Sequence, residues 1–589
     1  VSFRPRLVRI AFAAQFALLD LALRGPRSWL ASPALALAAL ASVGVWWHVP
    51  AIARRELRVA LAFVAGTIVA TQIGFYRYYH VFYGVDAAGA ARFMWGDTKP
   101  MLLRIAPWLA LASVLATALE LLVLRAAERT KTPRWLAVVA LAALAGATFA
   151  SGDGPPDASA FAALVRFAAP PKAKTNATVV VPEVRPPRPP GAVLLILDES
   201  IRASDYCRGS GATCELAPLT AAATPDRVAF GEMRAVASYT ALSVSALLTG
   251  HLPIEGQHAI ATAPLVFDYV RALRFGDGTR PTLHYVSAQT ESFFERQNLR
   301  AELETFVSVA DLVGHPVDDI DDVIDAGIDQ KLADRAEAEL AKLHPPFMFV
   351  AHFGGTHAPY HVDDAKAPFK PYTHATMWSG LDQLHAAYAD AIYAQDAEVA
   401  RVVKAFERAA AGAPSLVLFT SDHGEAFGEH AAIHHGQSLY DEQIRVPGFA
   451  VLHDDERGPA LAAHADDWVT HLDVVPTILD FFGAWGSFPF RPWTDALRGR
   501  SLLRPFASPE AQMLPLTNCT DVFPCPVKTW GILHGAHAYT AQPWDYHFRC
   551  VDLHDDTKTL APNDPECAAM AKESKVWFPN LPYGAKNSD

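Results

Sequence analysis

The sequence predicts an α-helical transmembrane bundle of five spans, followed by an α/β domain whose mostly parallel sheet is covered by helices on both faces. Three observations predict it. Five long apolar stretches crowd the first 150 residues. Beyond them, three apolar runs of strand length each end in carboxylate, hydroxyl or imidazole side chains. Long segments with apolar residues at helical spacing among charges alternate with those runs, the arrangement that builds a covered parallel sheet.

The 589 residues are too many for one core, and a hydrophobic content of 51% is high for a soluble enzyme. The apolar stretches lie at about 7–23, 30–49, 57–75, 102–124 and 135–150. A helix needs ~20 apolar residues to cross the hydrocarbon core, so the first and last are slightly short. Asp20 and Arg104 lie near span ends, where snorkelling is expected, whereas Glu120 is deeper and expected inside the bundle. Arg4, Arg6 and Arg9, then Arg54, Arg55 and Arg58, then Arg125, Arg129, Lys131 and Arg134 all fall on one side of five spans, which is therefore cytoplasmic. Arg24 and Arg27 run against that bias. Everything after residue 150 is then external. A formal net charge of −12 excludes a nucleic-acid partner held by a basic face.

The expected organisation is a membrane domain over 1–151 with an aromatic interfacial loop at 76–100, a juxtamembrane helix and proline-rich spacer over 152–190, and an external catalytic domain over 191–589 that includes a tail from 504. Six cysteines fall in close pairs, Cys207 with Cys214, Cys519 with Cys525 and Cys550 with Cys567, all external. An even count there suggests disulfides in an oxidising compartment.

The chemistry gathers at strand ends. Residues 415–420 form an apolar run leading into Ser421-Asp422-His423-Gly424-Glu425. Residues 192–197 lead into Asp198-Glu199-Ser200, and 347–351 into His352 and the segment Gly355-Thr356-His357-Ala358-Pro359. Open α/β sheets bind ligands at the carboxyl ends of their strands, and an Asp beside a His suits a divalent transition metal, zinc above all. A fourth element, residues 238–250, reads as the first turns of a helix closed by Gly250. A hydroxyl there meets unpaired N–H groups and the positive end of the helix dipole, and a nearby metal turns it into a nucleophile. Composition does not choose among Thr240, Ser243 and Ser245.

The string from Thr240 to Gly250 resembles the signature of the alkaline phosphatase and sulfatase superfamily. In register, Thr240 occupies the nucleophile position. A Thr cannot become the formylglycine of sulfatases and is instead similar to the nucleophile of membrane-bound phosphoethanolamine transferases. Glu199-Ser200-Ile201-Arg202 resembles their Glu-Thr-x-Arg, whose Glu binds the metal. Gly355 to Pro359 resembles their Gly-Ser-His-Gly-Pro, and His435-Gly436 a later His-Gly, both serving the phosphate. The metal motif at 421–425 matches theirs in residue type.

The resemblance implies Glu199, Asp198, Thr240, Asp422 and His423 around a divalent metal (Zn²⁺, with Mn²⁺ or Mg²⁺ as alternatives), and Thr240, His357 and His435 as catalytic residues. It further implies a phospholipid donor, phosphatidylethanolamine, and a lipid A or other glycan acceptor. The chain would sit in a bacterial inner membrane with its catalytic domain in the periplasm. Transfer of phosphoglycerol from phosphatidylglycerol, a phosphatase- or sulfatase-type hydrolase, and a non-catalytic membrane sensor or scaffold are the alternatives.

Overall fold

The structure, a computed structural model, describes residues 5–93, 95–129, 132–151, 154–168, 179–206, 214–254, 259–289, 300, 303–317, 327–374, 378–507, 512–519, 525, 527–541, 548–555, 558–561 and 563–578. Among the described residues, seven helices of nine or more residues precede the first strand: α1 (Pro5–Arg24), α2 (Pro33–Trp46), α3 (Arg55–Tyr79), α4 (Val85–Phe93), α5 (Trp95–Ala126), α6 (Arg134–Ser151) and α7 (Pro156–Ala168). Three stretches are long and apolar enough to cross a membrane, Pro33–Ala51, Arg55–Tyr79 and Leu102–Ala126. The other two expected spans correspond to α1, which carries Arg6, Arg9, Asp20 and Arg24, and α6, whose apolar part is shorter.

Buried polar groups tie this bundle together, because a polar atom without water needs a partner. Asp20 does not snorkel. It is fully buried, 3.5 Å from Arg24, and accepts from the Trp29 indole at 3.2 Å. Glu120 is buried as expected. Asp157 of α7 accepts from Ser42 at 2.7 Å and from Trp46 at 2.8 Å, pinning the juxtamembrane helix to α2.

The α/β domain is built on seven strands: β1 (Ala192–Asp198), β2 (Val228–Ala229), β3 (Thr282–Ser287), β4 (Thr305–Val307), β5 (Phe347–His352), β6 (Ser415–Ser421) and β7 (Gly448–His453). Their order is β2-β7-β6-β1-β5-β3-β4. The strands β6, β1, β5, β3 and β4 are parallel, and β7 with β2 adds an antiparallel edge. Every residue of β1, β5 and β6 is buried. That explains why these runs are continuously apolar rather than alternating.

Helix α8 (Thr240–Thr249) and, far along the chain, the helix Val474–Phe481 cover one face through Val244, Leu247, Val475 and Ile478. Helices α9 (Ile328–Leu340) and α10 (Leu381–Ala410) cover the other through Leu332, Val399 and Phe406. Each such side chain contributes roughly 1.5–3 kcal/mol on full burial. The apolar residues at helical spacing over 318–343 predict one helix; its first part, 318–326, lies outside the described residues.

Two features were not expected from the sequence. The proline-rich stretch is not a free spacer at its far end. Val181 and Val184 are buried against the catalytic core, Val184 exchanges backbone hydrogen bonds with Ala272 and Arg274, and Arg274 meets Glu183 at 2.6 Å. The tail forms an antiparallel sheet of its own, Leu514–Thr517, Trp530–His534, His537–Ala541 and Arg549–Asp552, packed under the helix Pro565–Trp577. Disulfides join Cys519 to Cys525 and Cys550 to Cys567, as proximity suggested. Cys207 lies outside the described residues.

Candidate active site

The parallel register brings the motifs to one edge. Asp198 is level with Ser421 across β1 and β6, so the residues that follow, Glu199 and Asp422, leave the sheet side by side. Ser200 adopts φ 59° and its N–H donates to Asp422 Oδ1 at 2.8 Å, which turns the chain over the strand end. Gly424 is required by space. A Cβ there would stand 2.3 Å from the Glu442 carbonyl oxygen, a contact only a side-chain-free residue avoids. Across this edge Thr240 begins α8, with Tyr239 extended before it.

Ligand atoms of Glu199, Asp422 and His423 all lie within 4.8 Å of one another, and all three residues are buried. Thr240 Oγ1 is 3.0 Å from His423 Nε2 and donates to Glu199 Oε1 at 3.3 Å. The structure separates the three hydroxyls that the sequence left open. Ser243 points back into the core, bonding to the Asp422 carbonyl and sitting 3.0 Å from His471 Nδ1. Ser245 donates to the Ala241 carbonyl within its own helix. Of the three, Thr240 faces the Glu199–His423 group.

This donor set fits a divalent cation. Asp422 Oδ1 accepts from two backbone N–H groups, whereas Oδ2 is buried with no hydrogen-bond partner. His423 Nδ1 is 3.0 Å from the Gly424 carbonyl, which can only accept, so Nδ1 carries the proton and Nε2 presents its lone pair. Burial, and then the charge of His435, holds His423 well below the ordinary imidazole range, so it stays neutral. Burial and Asp422 push the Glu199 carboxyl well up, and burial also raises Asp422. Packed carboxylates of this kind are the electrostatic signature of a site that wants a cation. Asp198, on the last position of β1, is not among the three residues whose ligand atoms all lie within 4.8 Å of one another. Burial, then Asp329, Asp422 and Asp396, holds its carboxyl well above the usual range.

His357 and His435 flank the same pocket with ring centroids 5.5 Å apart, and each has a ligand atom within 4.8 Å of Glu199. Their charges diverge. Burial, and then the neighbouring His435, lowers His357 to about 4. Burial alone would lower His435 as well, but Glu425, 3.4 Å from its Nδ1, raises it above the usual range. His357 Nδ1 lies 2.7 Å from the Ala358 carbonyl, so its Nε2 offers a lone pair. One histidine is thus held neutral near neutral pH, while the other keeps its proton to higher pH.

One further residue was missed in the sequence, and one was read only in part. Gln289 donates to Glu199 Oε2 at 2.6 Å and fixes that carboxylate. It follows β3, a fourth strand end that the same reasoning reaches once residues 282–287 are recognised as a strand. Glu425 was seen as part of the metal motif, but its partnership with His434 and His435 depends on the fold.

Comparison with known proteins agrees with this geometry. Residues 192–484 match the Sulfatase family. A multifunctional alkaline phosphatase superfamily protein of Trinickia caryophylli is 28% identical over 192 residues, 27% of this chain and 35% of that protein. A low-salt glycan biosynthesis sulfotransferase of Haloferax volcanii is 27% identical over 151 residues, 25% of this chain and 36% of that one. The chain therefore spans about a third of the length of these curated relatives. In fold, it is similar to the integral membrane lipooligosaccharide phosphoethanolamine transferase A of Neisseria meningitidis. The TM-score is 0.56 at 16% identity, over 84% of this chain and 98% of that one. Residues 192–484 thus form a sulfatase-family domain of the alkaline phosphatase superfamily, carried behind a set of apolar amino-terminal helices.

Proposed function

We propose that this protein is a membrane-anchored, metal-dependent transferase that moves phosphoethanolamine from phosphatidylethanolamine, through a phosphothreonine at Thr240, to a lipid A or other surface glycan. On this reading α1 and α6 complete five spans in a bacterial inner membrane, and the domain from about residue 191 is periplasmic. The observation that carries it is the Thr240 hydroxyl, 3.0 Å from His423 Nε2 at the start of α8. It occupies the nucleophile position with a residue that cannot become formylglycine, which argues against sulfate-ester hydrolysis.

A divalent cation held by Glu199, Asp422 and His423, zinc by the donor set, supplies Lewis acidity and neutralises phosphoryl charge when bound. The Thr240 hydroxyl gives its proton toward Glu199 Oε1, to which it already donates. Its oxygen attacks the donor phosphorus, with the first N–H groups of α8 facing the phosphoryl oxygens. The bond from phosphorus to the diacylglycerol oxygen breaks, and that oxygen takes its proton from the His435 imidazolium. In the second half-reaction neutral His357 accepts the proton of an acceptor hydroxyl, which attacks the phosphothreonine; the bond from phosphorus to Thr240 Oγ1 breaks, that oxygen recovers its proton from Glu199, and His357 and His435 return to their starting states by proton exchange with water.

The direct test is peptide mass spectrometry of the purified full chain after exposure to mixed phospholipids. A phosphoethanolamine adduct on Thr240 is expected. A phosphoglycerol adduct there reassigns the donor to phosphatidylglycerol, and lipid turnover with the adduct on another residue rejects Thr240.

A pH profile tests the acid role. His435 is charged below its raised pKa, so turnover is present on the acid side of that value and falls as pH rises through it. Glu425→Gln removes the charge that sustains the imidazolium, and the alkaline limb should move to lower pH by about one unit or more. An unmoved limb would reject His435 as the acid.

A further inference from the structure

The peptide unit that follows His435 is held at both ends by side-chain amides. His435 stands between two residues in the left-handed region, His434 at φ 64° and Gly436 at φ 75°. Before it, His434 pairs with Ala426, and the Tyr360 hydroxyl is 3.1 Å from His434 Nδ1. After it the chain runs without helix or strand as far as Asp441, and a glycine turns its peptide plane at little steric cost. The restraint there is a pair of amides. Gln443, from the α/β core, accepts through Oε1 from the N–H groups of Gln437 at 3.1 Å and Ser438 at 3.0 Å. Asn518, from the tail, donates through Nδ2 to the Gly436 carbonyl. The carbonyl and the N–H of one peptide plane are thus tied to two distant parts of the chain.

Asn518 is itself firmly placed. It is fully buried and directly follows the tail strand Leu514–Thr517. Its Oδ1 accepts from the Thr529 N–H at 2.8 Å, and its Nδ2 donates to the Val527 carbonyl at 2.9 Å as well as to Gly436. An N–H only donates and a carbonyl only accepts, so these partners fix which way the amide faces and use both of its donors. In the strand before it, Leu514 and Leu516 pack with Leu439, Tyr440 and Ile444. After it, the Cys519–Cys525 disulfide lies in one apolar cluster with Tyr239, Ala241 and Leu242, the residues around Thr240. Gly436 also lies beside that turn, where a Cβ on it would stand 3.7 Å from the Ser238 carbonyl oxygen. The tail therefore reaches both the turn of the nucleophile and the turn that carries His435.

We infer that Asn518 is a positioning residue, by which the tail sets the placement of His435 at the oxygen that leaves phosphorus. The inference rests on the transferase reading above, in which that oxygen takes its proton from His435. Without the bond, the Gly436–Gln437 plane turns about its glycine and His435 moves off its line to the leaving oxygen. The cost falls on a leaving group that needs a proton. Diacylglycerol leaves as an alkoxide unless it is protonated, whereas p-nitrophenolate is a far weaker base and departs without an acid.

The test compares two donors on the full chain in detergent: phosphatidylethanolamine and the p-nitrophenyl ester of phosphoethanolamine. Measured are kcat and KM on each, bound metal and the thermal midpoint. Asn518→Ala is expected to lower kcat on the phospholipid by about tenfold or more, as small misplacements of a reacting group do. KM and metal content should stay near wild type, and kcat on the p-nitrophenyl ester should fall by about threefold at most, because its leaving group needs no acid. Asn518→Ser keeps one donor and should lose less on the phospholipid; if Asn518→Ala does not fold, the two donors are compared in this milder variant. Thr517→Val removes bonds to the Cys519 and Thr529 carbonyls, loosening the same loop without touching Gly436. Its midpoint should fall while its ratio of the two rates stays as in wild type. Equal losses on the two donors overturn the role, as does a wild-type rate on phospholipid in Asn518→Ala or a changed ratio in Thr517→Val. Failure of the wild type itself to turn over phospholipid overturns the transferase reading instead, and this role with it.

Discussion

Thr240→Ala is expected to reduce head-group transfer by about three orders of magnitude or more, the scale on which nucleophile removal acts in covalent catalysis. The fold should survive. Position 240 opens α8 and alanine is a good helix former. Glu199 Oε1 keeps the Ser200 hydroxyl at 2.9 Å, and Oε2 keeps Gln289. Metal content, read by plasma mass spectrometry, should be unchanged, since the two carboxylates and His423 remain. Thr240→Ser, which restores a hydroxyl at the same atom, should recover part of the rate. Turnover in Thr240→Ala equal to wild type would remove the covalent mechanism. If the wild type also shows no turnover, the scaffold reading gains.

Chelation should have the second-largest effect, on stability as well as rate. Without a cation, buried Glu199 and Asp422 carry raised pKa values, and Asp422 Oδ2 has no hydrogen-bond partner. A ligand that binds only the folded state adds about 2.7 kcal/mol at a hundredfold excess over its Kd. Removing it should therefore lower the thermal midpoint by several degrees and abolish transfer, and adding back Zn²⁺, Mn²⁺ or Mg²⁺ separately should show which cation restores both. The pH dependence follows from the proton competition at the ligands. Glu199 and Asp422 hold protons to higher pH than ordinary carboxyls, so cation affinity falls as pH drops through their range. His423, already held neutral, adds little to that competition near neutral pH. A midpoint indifferent to chelator and to added cation would argue against a metal at this group.

The parts of this site legible in sequence share a physical cause. β1, β5 and β6 are buried on both sides, so their apolar runs are unbroken, and the first polar residues after them must lie at the strand ends. Glu199, Asp422, His423 and His357 could be read in that way. Thr240 needed the resemblance to be chosen over Ser243 and Ser245, because all three sit in one helical turn and a half, and only tertiary packing turns Ser243 toward His471.

Long-range contacts were not legible. Gln289 reaches Glu199 across 90 positions of chain. The tail sheet is assembled from four- and five-residue strands too short to show a period. Lys528 of the tail meeting Asp86 of α4 at 2.9 Å joins segments more than four hundred positions apart, a relation no local pattern encodes.

The docked end of the linker bears on how the protein is supplied with substrate. Val181 and Val184 belong to the catalytic core, and Asp157 fastens α7 to the bundle. The ten residues 169–178 between α7 and that docked end can stretch to about 35 Å at most. On the transferase reading, a site leashed this closely to a bilayer meets its lipid donor as a two-dimensional solute. The concentration it senses is the mole fraction of donor in the leaflet, not the amount in the tube. At a fixed number of protein molecules, diluting the donor with an inert lipid slows every turnover, and adding more vesicles of the same composition changes nothing.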